Sequence, residues 1–191
     1  MNKVILDDIM GLPAYEKARE RLRQRVIELK KKRRVPVGDK ISLVFENRET
    51  VIFQIHEMMR VERITDLDKI REEIEVYNGL IPEPGELSAT LFLEIEDQSH
   101  LREDLLKFLG VDEAVFLKIG TRRINARFEE GRSKEDKISA VQYVKFPFAA
   151  DDRAAFAGSA EASLCIDHSN YKAEVRLEAE TRKALLADLT E

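Results

Sequence analysis

The sequence predicts an α+β fold in which N-terminal helices pack with a mainly antiparallel sheet of six to seven strands. Three observations carry this reading. The first third contains long segments whose apolar residues recur every three or four positions, the period of an amphipathic helix. Most of the remainder consists of short segments whose apolar residues alternate, the period of a strand with one buried face. Those strands follow one another through short turns, which favours antiparallel pairing over helical crossovers. A chain of 191 residues, 43% of them hydrophobic, suits a single domain (residues 1–191) with a sizeable core.

Residues 13–34, PAYEKARERLRQRVIELKKKRR, read as a long basic helix. Pro13 is pre-organised for a first turn. Tyr15, Ala18, Leu22, Val26 and Leu29 fall in one stripe, so one face packs, either on the body of the domain or on a second subunit. Lys30–Arg34 occupy the last turn, where positive charge complements the helix dipole, and Pro36 and Gly38 then break the chain. DKISLVFEN alternates as a strand, with Ile41, Leu43 and Phe45 on one face and Ser42, Val44 and Glu46 on the other. A helix follows over residues 48–64 with Asn47 as its N-cap. TDLD, residues 65–68, has the form of a capping box and opens a helix through Tyr77, striped by Leu67, Ile70, Ile74 and Tyr77. Gly79 and Pro82 end it.

After the Pro84-Gly85 turn comes the cleanest alternation in the chain. Leu87, Ala89, Leu91, Leu93 and Ile95 face one way, and Ser88, Thr90 and Glu94 the other. A short helix over residues 100–109 stops at Gly110. AVFLKI, RINARFEE and KISAVQYVKF are three further strands, the last two separated by a charged loop at residues 131–136. A short helix near residues 152–157 leads to a hairpin of ASLCID and YKAEVRL, joined through His168, Ser169 and Asn170. ETRKALLADL is the last helix, with Leu185, Leu186 and Leu189 apolar.

Composition narrows the function classes. The formal net charge of −5 argues against a surface that grips nucleic acid all over. It is unevenly spread: residues 15–34 carry +7, leaving −12 on the rest. Cys165 is the only cysteine, so an intramolecular disulfide and cysteine-ligated zinc or iron–sulfur centres fall away. The opening MNKVILDDIMGLP lacks the long apolar run of a secretory signal, and no 18-residue apolar stretch occurs. A cytoplasmic protein without membrane contact is expected.

Four blocks, GDKISLVFENRETVIFQIHEMMRVERI, YNGLIPEPGELSATLFLEIE, AVQYVKF and DHSNYKAEVRL, resemble a bacterial family that is itself of unknown function, across nearly the whole chain. Members of that family are often encoded beside rubrerythrin-like diiron proteins and iron–sulfur oxidoreductases. The resemblance therefore implies redox or peroxide-defence work and a redox protein partner. It supplies no catalytic residue to carry over.

The segment nearest to a known reaction is IHEMMR, residues 55–60. A zinc protease needs His-Glu-x-x-His on a helix, with both imidazoles on the metal and the carboxylate activating water. Here the second His is Arg60, a guanidinium with no lone pair for a metal. His100 and His168 are the only other histidines, and no Glu stands three residues before any histidine, as a ferritin-like diiron centre would require. No metal and no cofactor are expected.

On a helical wheel, Val51, Ile52, Ile55, Met58 and Met59 gather on one face, and Phe53, Val61 and Ile64 on the opposite side, with His56, Arg60 and Arg63 between. Glu57 falls among Phe53, Val61 and Ile64, and a buried carboxylate must find cations or donors. Arg48, Gln54, Glu57, Arg60, Tyr77 and Asn78 are accordingly the candidate ligand- or partner-binding residues. The same residue types would equally build a structural ion-pair network between two helices.

Cys165 reads as an inert strand residue without a resolving thiol. GDK and GTRR lack P-loop spacing, and no serine or cysteine stands in a nucleophile setting, so catalytic residues stay unassigned. Three functional readings follow. The leading one is a non-enzymatic accessory or interaction protein, homodimeric, linked to a redox system. The second is a sensor or enzyme for a small anionic ligand using the Arg/Glu pocket. The third is a nucleic-acid binder through residues 15–34.

Overall fold

The computed structural model describes residues 1–95, 98–129, 133–134, 137–158 and 160–190. Helix α1 runs Leu12–Lys31 with Pro13 in its first turn, and its stripe behaves as the spacing requires: Tyr15 and Val26 are buried, Ala18, Leu22 and Leu29 half-buried. The basic run does not stay in the helix. The helix stops at Lys31, Lys32 caps it, and Arg33 turns inward to 4% exposure.

Pro36 does not break the chain either. It lies in strand β1 (Arg34–Val37), which pairs antiparallel with β2 (Ile41–Glu46). Proline lacks the amide donor, and β1 is an edge strand whose free side needs none. The hairpin turns at Gly38, φ 73°, where a side chain would run into the Tyr171 hydroxyl. That hydroxyl donates to the Val37 carbonyl at 2.7 Å and accepts from the Lys40 amide at 3.0 Å, pinning the turn to a distant strand.

Helix α2 (Arg48–Glu62) begins with a reciprocal cap: the Asn47 side chain accepts from the Thr50 amide and the Thr50 hydroxyl accepts from the Asn47 amide, each at 3.0 Å. It ends on Arg63 in the left-handed region, φ 55°. Asp66, the second residue of TDLD, is the N-cap of α3 (Leu67–Asn78), accepting from the amides of Asp68 and Lys69. Strand β3 (Glu86–Leu93) follows, then α4 (Leu101–Leu106), β4 (Val115–Ile119), β5 (Arg122–Asn125) and β6 (Arg127–Phe128). A two-stranded ribbon, β7 (Ser133–Lys134) with β8 (Lys137–Ile138), flanks the expected charged loop; residues 131, 132, 135 and 136 of that loop lie outside the described residues. The chain continues through β9 (Val141–Pro147), α5 (Ala150–Ala157), β10 (Ala162–His168), β11 (Tyr171–Arg176) and α6 (Ala179–Thr190).

The fold is α+β, but its strands do not form the expected single sheet of six to seven. They form a five-stranded sheet in the order β1-β2-β3-β9-β6 and a four-stranded sheet in the order β11-β10-β4-β5, both antiparallel. The division falls inside RINARFEE. Its first half pairs with β4, and after Ala126 its second half pairs with β9 in the other sheet. Alternation fixes which way a side chain faces and carries no record of which strand lies alongside.

The inner faces of both sheets close one core with α5 and α6, in which Phe45, Leu91, Leu117, Phe146, Phe156 and Leu164 are fully buried. A second core joins residues 1–12 to α2 and α3 through Val4, Val51, Ile55, Met59, Ile70 and Ile74. β2 is buried on both faces, and its outer face carries a buried polar patch in which Glu46 stands opposite Ser88 and Val44 opposite Thr90. The expected second apolar side of α2 is only partly covered: Ile64 is buried, while Val61 is 71% exposed.

Candidate functional site

His56 is 1% exposed on α2, and both ring nitrogens are used. Nε2 accepts the Met10 amide at 2.9 Å, so the proton sits on Nδ1, which donates to the Ile52 carbonyl at 2.8 Å. Tyr15 of α1 stacks on the ring at 4.6 Å and 14°. Burial lowers the imidazole's pKa below its usual 6.5. The ring is thereby a packed, neutral joint between residues 1–11, α1 and α2. His168 is comparably engaged, with Nε2 against the Leu109 carbonyl at 2.8 Å and Nδ1 accepting from the Asn170 amide at 3.3 Å. Among the described residues, no three His, Cys, Asp or Glu side chains converge as a metal site. Cys165 is buried, and burial first, then Glu174, pushes its thiol up to about 11.

Glu57 faces α1. Arg19 donates to both its oxygens at 2.8 Å, and the Tyr15 hydroxyl adds a third bond at 2.6 Å. Chiefly through Arg19, the carboxyl is held down to about 2, although partial burial opposes this. Arg60, one turn on, pairs with Glu16 of α1 at 2.9 Å. Gln54 points the other way, donating at 3.1 Å to the buried Glu46, which also accepts from Thr50 at 2.5 Å and Thr90 at 2.7 Å. Tyr77 is half-buried and shares a groove of about 320 Å³ with Gln54, Glu57 and Tyr143. Asn78 clamps the backbone of Val4, accepting its amide at 2.8 Å and donating to its carbonyl at 3.0 Å. Arg48 ion-pairs with Asp8. The six candidates thus divide: Gln54, Glu57 and Tyr77 share one groove, Arg60 joins Glu57 on the α1 side, Asn78 anchors residue 4, and Arg48 opens onto a different space.

That space is a cavity of about 540 Å³ between α1, α2, α6 and residues 1–10. Leu22, Val26, Ile52 and Phe53 supply apolar wall, and His56 shows it an edge. Its charged lining is three guanidinium–carboxylate pairs. Arg33 holds Asp188 with two bonds of 2.6 and 2.8 Å, both side chains about 95% buried at 5% and 4% exposure. Arg48 holds Asp8, and Arg25 holds Glu49 at the exposed rim with bonds of 2.5 and 3.0 Å. Although its Nη atoms are engaged, Arg33 has a buried Nε without a hydrogen-bond partner, and so does Arg48.

Sequence reasoning grouped Arg48 with Glu57 and not with this cavity, and it missed Arg33, Asp188, Asp8 and Met10. Arg33 was hidden in a run of five basic residues that reads as one solvated tip. Asp188 did leave a signal: it stands three after Leu185 and one before Leu189, a charge within the apolar stripe of α6, which calls for a buried cation. Tyr15 and Arg19, the partners of Glu57, lie 42 and 38 residues away and left none.

A search among curated proteins brings no match. A crystal structure of a novel protein of unknown function from Burkholderia pseudomallei K96243 is similar to this chain, with a TM-score of 0.92 and 32% identity over 98% of this chain and 100% of that one. The model of a family described as Protein of unknown function (DUF3501) matches residues 3–189, and with that span nearly the whole fold described above is accounted for by one family, to which this chain belongs.

Proposed function

We propose that this protein binds a small ligand through an anionic group in the cavity between α1, α2 and α6, and acts as a binding or sensing protein. The observation that carries the reading is the convergence of three guanidinium side chains, Arg25, Arg33 and Arg48, on one cavity with an apolar wall. Charge-assisted donors of this kind favour carboxylate or phosphate oxygens. The volume of about 540 Å³ falls in the range of small-molecule sites, and the mixed apolar and convergent polar lining is what such sites share. A role beside a redox partner is what the sequence resemblance implies; the geometry favours the ligand.

The test is calorimetric titration of the full chain against a library of small carboxylates, amino acids and phosphate esters. Saturable binding is expected, weakened about 10- to 100-fold by Arg48→Gln, the cost of about 1.4–3 kcal/mol for one charge-assisted bond. Arg60→Gln, on the far side of α2, should leave it unchanged. No saturable ligand, or equal binding by Arg48→Gln and wild type, would overturn the reading.

A further inference from the structure

We infer that this protein associates with a second copy of itself, as a two-fold dimer, through the outer face of its five-stranded sheet and the adjoining parts of α2 and α3. This is independent of the ligand reading, since the face shares no lining residue with the cavity between α1, α2 and α6. Two grooves of about 320 and 290 Å³ meet there at Tyr77 and Tyr143. On the outer face of the sheet, Ser88 and Thr90 of β3 are buried, whereas Val141, Tyr143 and Lys145 of β9 are half-exposed. The helical cover therefore ends between these two strands. Val61 of α2 is 71% exposed and Val76 of α3 is 70% exposed, the highest values for large hydrophobic side chains among the described residues. Each lines one of the two grooves, so apolar surface runs along the whole strip.

The charges beside the strip point to a second copy as its occupant. On the helical side stand Glu62, Glu72 and Glu73, which have no cation partner among the described residues. They repel one another: burial first, then Glu62 and Glu72, pushes the Glu73 carboxyl above its usual range. Glu73 and Glu62 also bear on the Tyr77 hydroxyl, which places them at the groove. On the sheet side, Arg127 lies directly opposite Lys145 in the β6–β9 ladder, two like charges on one face. Lys145 is offset by Glu86 at 2.6 Å, and Glu129 has a contact of its own. Arg127 is exposed and has no carboxylate partner among the described residues. One apolar strip is thus flanked by uncompensated negative charge on one side and by uncompensated positive charge on the other. A two-fold axis along the strip lays the acidic side of each copy against Arg127 of the other, and neutralises both. A partner presenting a single sign would satisfy one side and be repelled by the other.

Sedimentation equilibrium of the full chain is the test, and a particle of twice the 22.0 kDa chain mass is expected. Val61→Ser combined with Val76→Ser should weaken the dimer at least tenfold. Both side chains are exposed in the single chain, so circular dichroism should stay unchanged. Two further variants read the charges: Glu62→Lys combined with Glu73→Lys, and Arg127→Glu. Each by itself sets like charges face to face and should weaken association at least tenfold. Mixed in equal amounts, they should associate again as a heterodimer, because each reversed side then meets its opposite. A wild-type chain that stays monomeric up to about 100 μM overturns the inference and leaves the strip to a different protein. A dimer unaffected by the two serine substitutions, or by either charge reversal, overturns it as well, since association then uses another surface. Charge variants that dissociate separately and fail to associate when mixed overturn the two-fold pairing of these sides.

Discussion

The carboxylate of Glu57 is held by two charge-assisted bonds from Arg19 and one from the Tyr15 hydroxyl. Its pKa of about 2, against an ordinary 4.5, makes these contacts a pH-dependent contribution to stability. The folded-state value is depressed, so the contribution is complete above about 4.5 and is lost as pH falls from there towards 2. With the side chain 27% exposed, solvent screening reduces it to about 1–2 kcal/mol. Glu57→Gln should therefore unfold at lower urea than wild type at pH 7, and the gap should shrink progressively between pH 4.5 and pH 3. A gap independent of pH would mean that the contact is steric and not ionic. At this scale the sequence was legible in chemistry and silent on partners. It showed that Arg60 could not ligate a metal and that Glu57 needed donors, whereas Arg19 came from another helix.

Helix α2 illustrates what local signals fix and leave open. Its start was readable because Asn47 and Thr50 are neighbours in the chain and cap each other. Its end was not: Arg63 adopts φ 55° and ψ 40°, a conformation that disfavours a residue with a Cβ, and nothing in its side chain announces this. The Ile64 amide closes the turn on the Met59 carbonyl at 2.9 Å, and Ile64 itself is buried, so the tertiary contact holds the turn in place. Arg63→Gly should relieve the strain and stabilise the protein by about 0.5–1 kcal/mol, the net of a removed Cβ penalty and a more flexible unfolded chain. A higher melting temperature with unchanged helical circular dichroism is the expected result; a lower one would show that the Arg63 side chain contributes more than its backbone costs.

Across the whole molecule, the Arg33–Asp188 pair ties the end of α1 to α6 over 155 residues. Both side chains are almost fully buried, so removing one strands the other charge. Asp188→Ala alone should cost about 3–5 kcal/mol, while Arg33→Met with Asp188→Leu should recover most of that loss. Chemical denaturation of the single and double variants checks this. A double variant as unstable as the single would mean that the pair is needed for the geometry of the cavity wall as well as for neutralising charge.

The sequence by itself determined the class of the fold, most element positions, the direction each strand residue faces and the absence of a zinc-protease helix. These follow from period and residue chemistry, which act over a few residues. The tertiary structure alone decided three things. RINARFEE changes sheet at Ala126, because strand pairing is a long-range choice that alternation does not encode. The proposed six-residue cluster is distributed over several surroundings, because side chains on one helix point to whatever packs on each side. Arg33 leaves a run of exposed basic residues for a buried carboxylate 155 positions away, because a charge can be buried only where the fold brings its partner.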